Sequence, residues 1–76
     1  MLDLDNILDN LHNAIKAIEN ISLEDIEELN KEKKYINNID NREIKKDLIR
    51  NIAEKYKVKY GLQIDYIIEL LNNDKP

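Results

Sequence analysis

Leu4, Leu8, Leu11, Ile15 and Ile18 follow one another at intervals of four, three, four and three residues, the spacing of one helix face. Ile7, Ala14 and Ile21 add a third apolar row seven residues apart. Three rows per heptad exceed what a two-stranded coiled coil needs. They predict a bundle helix over about 2–20 that touches two neighbours. Asp3 and Asp5 sit in its first turn, where carboxylates complement the helix dipole.

Ser22 is placed to cap a second helix, with Glu24 and Asp25 in the turn behind it. This helix is predicted over about 23–37. Its apolar stripe is thin: Ile26, Leu29, Ile36 and Ile39, with Lys33 interrupting. One face must therefore be solvated. Glu27 and Lys31 support each other at i,i+4, whereas Glu28 and Glu32 repel. Asn37-Asn38 breaks the pattern. Asp40, with Glu43 three residues on, reads as a capping box, and a third helix is predicted over about 41–58. Ile44, Leu48, Ile52 and Tyr56 form its stripe at successive fours, with Ile49 and Ala53 beside it.

Residues 56–66 carry two readings. Tyr56, Val58, Tyr60, Leu62, Ile64 and Tyr66 alternate with polar residues, which is a strand period. A lone strand would need a partner from a second chain. The preferred reading ends the third helix near Tyr60, puts Gly61 in the left-handed position that closes it, and starts a fourth helix over about 62–73. Around that helix Tyr66, Leu70, Ile67, Leu71, Ile64 and Ile68 cover an arc of roughly 200°. A helix so apolar is covered on two sides, as the centre of a bundle or as a subunit contact. Ile64, Ile67, Ile68, Leu70 and Leu71 are accordingly the candidate partner-interface residues. The expected fold is all-α: a small three- or four-helix bundle with short loops, one domain over 1–76.

Composition removes most chemistry. Gly61 and Pro76 are the only glycine and proline, Ser22 is the only serine, and threonine, cysteine, tryptophan and phenylalanine are absent. No phosphate-cradling glycine loop, nucleophile elbow or cysteine metal knuckle can be built. Carboxylates are abundant, but nothing selects a pair for acid–base work. The expectation is a non-enzyme without a cofactor. Without disulfides or structural zinc, a chain of this length depends on idealised helix packing or on association. Hydrophobic residues at 42 % and charged residues at 37 % fit a folded soluble domain. No apolar run approaches the ~20 residues that cross a bilayer. The opening Met-Leu-Asp-Leu-Asp is acidic, with no visible secretory or transit signal, so the expected location is cytoplasmic.

The net charge of −4 is unevenly spread. Residues 1–30 hold eight carboxylates against Lys16, and residues 31–60 hold ten bases against five acids. Such regions attract each other within one fold or between two copies. His12 lines one flank of the first helix with Asp5, Asp9 and Lys16. Asp9-x-x-His12 matches half of the carboxylate-x-x-His element of di-metal bundles, but no second histidine completes it, so a solvated face is expected and no metal.

Two basic features would suit nucleic acid. Lys55-Tyr56-Lys57-Val58-Lys59-Tyr60 interleaves bases with aromatics, and Arg42, Lys46, Arg50 and Lys57 share a stripe of the third helix. Glu43, Asp47 and Glu54 each lie three residues before one of these bases and favour internal pairing. Ile49–Leu71 resembles a helix-turn-helix, with Ala53 at the tight-packing position of the first helix. It departs from that pattern at Lys57, where a turn glycine is expected, and at Gln63, which falls on a core position. The second helix, opening Leu62-Gln63-Ile64-Asp65-Tyr66, has no Arg or Lys to reach a base edge. The expected function is protein–protein interaction, as a self-associating accessory or regulatory subunit. The alternative is a small nucleic-acid-binding regulator using Arg42, Lys46, Arg50 and Lys57.

Overall fold

The computed structural model describes residues 2–74 and is all-helical: α1 (Leu4–Lys16), α2 (Leu23–Asn37), α3 (Arg42–Tyr60) and α4 (Asp65–Asn73). α3 is the central element and packs against each of the other three, while α1 also packs against α2. One core runs through all four. Leu4, Leu8, Leu11 and Ile15 meet Leu29 and Ile36 of α2, Ile49, Ile52, Ala53 and Tyr56 of α3, and Ile64, Ile67 and Leu71. The Cα trace is a slab only 16 Å across its thinnest axis. Each outer helix therefore keeps a face in water.

The ends of the helices follow local chemistry. Asp3 caps α1 and Ser22 caps α2, each accepting from the backbone N–H three residues on. At α3 the cap is Asn41, not Asp40: Asn41 Oδ1 accepts from Ile44 N–H at 3.0 Å. Gly61 closes α3 at φ 68°, in the left-handed region where a side chain is strained.

Two helix boundaries shift. α1 stops at Lys16 rather than about residue 20, because the chain must reverse toward Ser22. Ile18 and Ile21 still pack on the core, but from the turn between the helices. α4 begins at Asp65, and Leu62 and Ile64 reach the core from the link before it. The strand period over 56–66 is not used, and no strand occurs among the described residues. Tyr56 is buried, whereas Val58 is 85 % exposed and Tyr66 58 % exposed, so the alternating residues do not share a side.

The stripe expected on α3 also turns out of the core. Steps of four residues advance about 40° each around a helix. Tyr56 and Ile52 are buried, Leu48 is half-buried and Ile44 is 51 % exposed. Ile49 and Ala53, placed beside the stripe, are fully buried and complete the true inward face.

Candidate functional site

The four bases of the expected phosphate-binding stripe are all tied to acids of the chain. Lys46 is buried, within 3.2 Å of Glu43 and 3.3 Å of Asp74. Arg42 Nη2 reaches Asp74 Oδ2 at 3.0 Å and also donates to the Leu2 carbonyl at 2.7 Å. Arg50 pairs with Asp47 and donates to Asn72 Oδ1. Lys57 pairs with Asp65 of α4 rather than with Glu54. Asp74 also accepts from Leu2 N–H, so this residue just after α4 is clasped to the start of the chain and to α3. Burial works to raise the Asp74 carboxyl, but the Leu2 amide, Lys46 and Arg42 outweigh it and hold it below the usual carboxylate range.

The aromatic-basic segment is spent in the same way, at the other end of α3. Asp25, in the first turn of α2, is buried and bonded by Lys59 Nζ, at 3.0 and 2.8 Å from its two oxygens, and by the Tyr60 hydroxyl. Tyr56 is fully buried and donates to the Asp25 carbonyl at 3.2 Å, and its ring stacks on Tyr60 at 5.9 Å. The Lys59 and Tyr60 bonds hold the Asp25 carboxyl down at about 2. It stays ionised near neutrality and has no proton to give. Burial, with Asp25 nearby, pushes the Tyr56 hydroxyl up to about 12. This is a tether between α2 and α3, not a reactive site. Lys55, the remaining base of the segment, pairs with Glu28 and lies near Glu32.

His12 is buried, against the expectation of a solvated face. Its Nε2 is hydrogen-bonded to Asn30 Oδ1 at 2.8 Å, joining α1 to α2. Asp9 turns to Lys33 and Asp5 to Lys45. Among the described residues no group of three His, Cys, Asp or Glu could hold a metal ion. The acidic first third and the basic middle thus attract each other within the fold.

The candidate interface on α4 divides. Ile64, Ile67 and Leu71 are buried in the chain's own core and cannot also meet a partner; Ile68 is half-buried against it. Leu70, 43 % exposed, is the one of the five that faces water, next to Tyr66 on the same flank.

Another apolar surface lies between α2 and α3. An open groove of about 240 Å³ is lined by Tyr35, Ile36, Leu48, Ile52 and the stems of Glu32, Asn51 and Lys55. Tyr35, 63 % exposed, stands on its α2 rim, and Ile44 lies one turn before Leu48 on α3. Leu23, at the opposite end of α2, is 71 % exposed. Burial at the groove, opposed by Lys55 and reinforced by Glu28, raises the Glu32 carboxyl. The sequence held one signal for this surface: Leu23 and Tyr35 are the apolar residues of α2 that fall off its stripe.

No family model matches the chain, and no curated protein or solved structure matches it either. No described helix is long and apolar enough to cross a membrane.

Proposed function

We propose that this protein is a protein–protein interaction module that works by binding rather than catalysis, and that its partner is a second copy of itself. The observation that supports this reading most is the α2 side of the bundle. There Leu23, Tyr35, Ile44 and the α2–α3 groove leave several apolar side chains in water on one side of the bundle. Such uncovered apolar surface favours association at about 25 cal/mol per Å² buried. The same side carries Glu24 and Glu27 as well as Lys31 and Lys34, so it offers complementary charge to a copy of itself. The contact face moves from α4, where the sequence pattern put it, to α2 and its groove. No observation favours the nucleic-acid reading, since Arg42, Lys46, Arg50 and Lys57 would each have to leave a carboxylate before meeting a phosphate.

Sedimentation equilibrium over a wide range of protein concentration tests the reading. The average mass should rise from monomer toward twice that value. A constant monomer mass up to the highest attainable concentration would overturn it.

A further inference from the structure

The outward face of α2 has a two-fold pattern. Leu23, Glu24, Glu27, Lys31, Lys34 and Tyr35 are all exposed, and their intervals of one, three, four, three and one read the same in both directions. Their midpoint is Leu29, whose side chain points the other way, into the core. The wheel places all six within about 60° of the direction opposite Leu29. The other charged residues along the helix, and Asn30, have partners in the chain: Asp25 with Lys59, Glu28 and Glu32 with Lys55, Lys33 with Asp9, and Asn30 with His12. Glu24, Glu27, Lys31 and Lys34 join no ion pair among the described residues, not even Glu27 with Lys31 at i,i+4.

We infer that two copies associate through antiparallel α2 helices around a two-fold axis at Leu29. This rests on the self-association reading and specifies its geometry. Reversing the helix direction exchanges the two halves of the face. Glu24 then comes level with the second copy's Lys34, Glu27 with its Lys31, and Leu23 with its Tyr35. Each copy supplies the same residues to the contact, as an isologous interface requires. A parallel arrangement would set acid against acid and base against base, so the charge order selects the antiparallel one. Leu23 and Tyr35 give the contact apolar ends, and Tyr35 continues it into the α2–α3 groove. Exposed ion pairs add little each, so charge here sets register and direction while the apolar ends supply most of the attraction.

Charge exchange tests this. Lys31→Glu with Lys34→Glu makes the face wholly acidic, and Glu24→Lys with Glu27→Lys makes it wholly basic. Each double variant should stay helical by circular dichroism and sediment as a monomer where the native chain is dimeric. Mixing the two at equal concentration should restore a dimer of one copy of each. Raising ionic strength from about 0.05 to about 0.5 M should weaken the native dimer and the mixed dimer alike, since screening shortens the reach of these pairs. If the double variants dimerise as well as the native chain, or if mixing restores nothing, this geometry is overturned. Self-association would then stand, and its loss in Ile44→Glu would locate it on the groove. A native chain that never dimerises overturns both readings.

Discussion

α4 and α2 divide the apolar surface in opposite ways. Five of the nine residues of α4 are Ile, Leu or Tyr, against five of the fifteen in α2. Yet the centre of α4 is sealed, with Ile67 and Leu71 almost fully buried against α3, while α2 leaves Leu23 and Tyr35 more exposed than any apolar residue of α4. The amount of apolar surface a helix owns does not say where that surface goes. α4 lies along the central helix and spends its stripe there. α2 buries only Leu29 and Ile36 of its apolar residues and adds polar tethers, Asp25 to Lys59 and Tyr60 at one end and Asn30 to His12 in the middle. Its outward face stays in water.

The largest test of this contrast is a pair of substitutions. Ile67→Asp puts a carboxylate into a site 2 % exposed and should cost about 4 kcal/mol or more, enough to unfold a chain of this size. Tyr35→Asp, on the open face of α2, should change monomer stability by less than about 0.5 kcal/mol. Urea titrations followed by circular dichroism measure both. Comparable losses at the two positions would erase the distinction between sealed and open helices.

The tether of α2 should show itself through pH. Asp25 is ordinarily at 3.8 and is held at about 2 in the fold. A depressed carboxyl contributes stability that is present above its unfolded value and lost as pH falls through its folded one. Thermal stability should therefore drop between about pH 4 and pH 2, with Asp74, also lowered, adding to the same loss. Asp25→Asn should lower stability at neutral pH and flatten this acid limb. Tyr56 works in the other direction: pushed from 10.0 to about 12, it contributes below pH 10 and loses its contribution as pH climbs toward 12. An acid limb unchanged in Asp25→Asn would mean the tether adds nothing to folding.

Gly61→Ala should come next in size. At φ 68° any side chain is strained, although a Cβ there meets nothing within 4 Å. The cost should be about 1 kcal/mol, all of it backbone. A neutral or stabilising result would mean that the link into α4 relaxes, and that α4 is less firmly fixed to α3 than its burial suggests.

What the sequence made legible was local. The seam of α1, the Ser22 cap, the break at Asn37-Asn38 and the left-handed Gly61 each depend on residues within a turn of one another. The inward face of α3 departs from the expected stripe because a stripe at successive fours drifts around the helix, so that Ile44 and Tyr56 end on different sides. The polar clasps were out of reach for a different reason. Tyr56 meets Asp25 across 31 residues, and Leu2 meets Asp74 across 72, and no spacing rule connects them. Asp25 reads in sequence as one more first-turn acid. The exposed face of α2 was visible only as two apolar residues that its stripe did not account for.

The smallest effect is expected at Leu70, and it separates the two helices most sharply. The sequence pattern groups Leu70 with Ile64, Ile67, Ile68 and Leu71 as an interface candidate. In the fold it is 43 % exposed on the flank of α4, beside Tyr66, while Ile67 and Leu71 do the packing. Glutamate is a good helix former, and it adds a negative charge to a helix whose last turn carries no base. The cost should be a few tenths of a kcal/mol, from lost partial burial and an unfavourable dipole contact. The sedimentation profile should match that of the native chain, because the proposed contact lies on α2 and not on α4. Dissociation in Leu70→Glu with stability intact would return the interface to α4. It would also show that partial exposure on a mostly sealed helix is enough to hold a second copy.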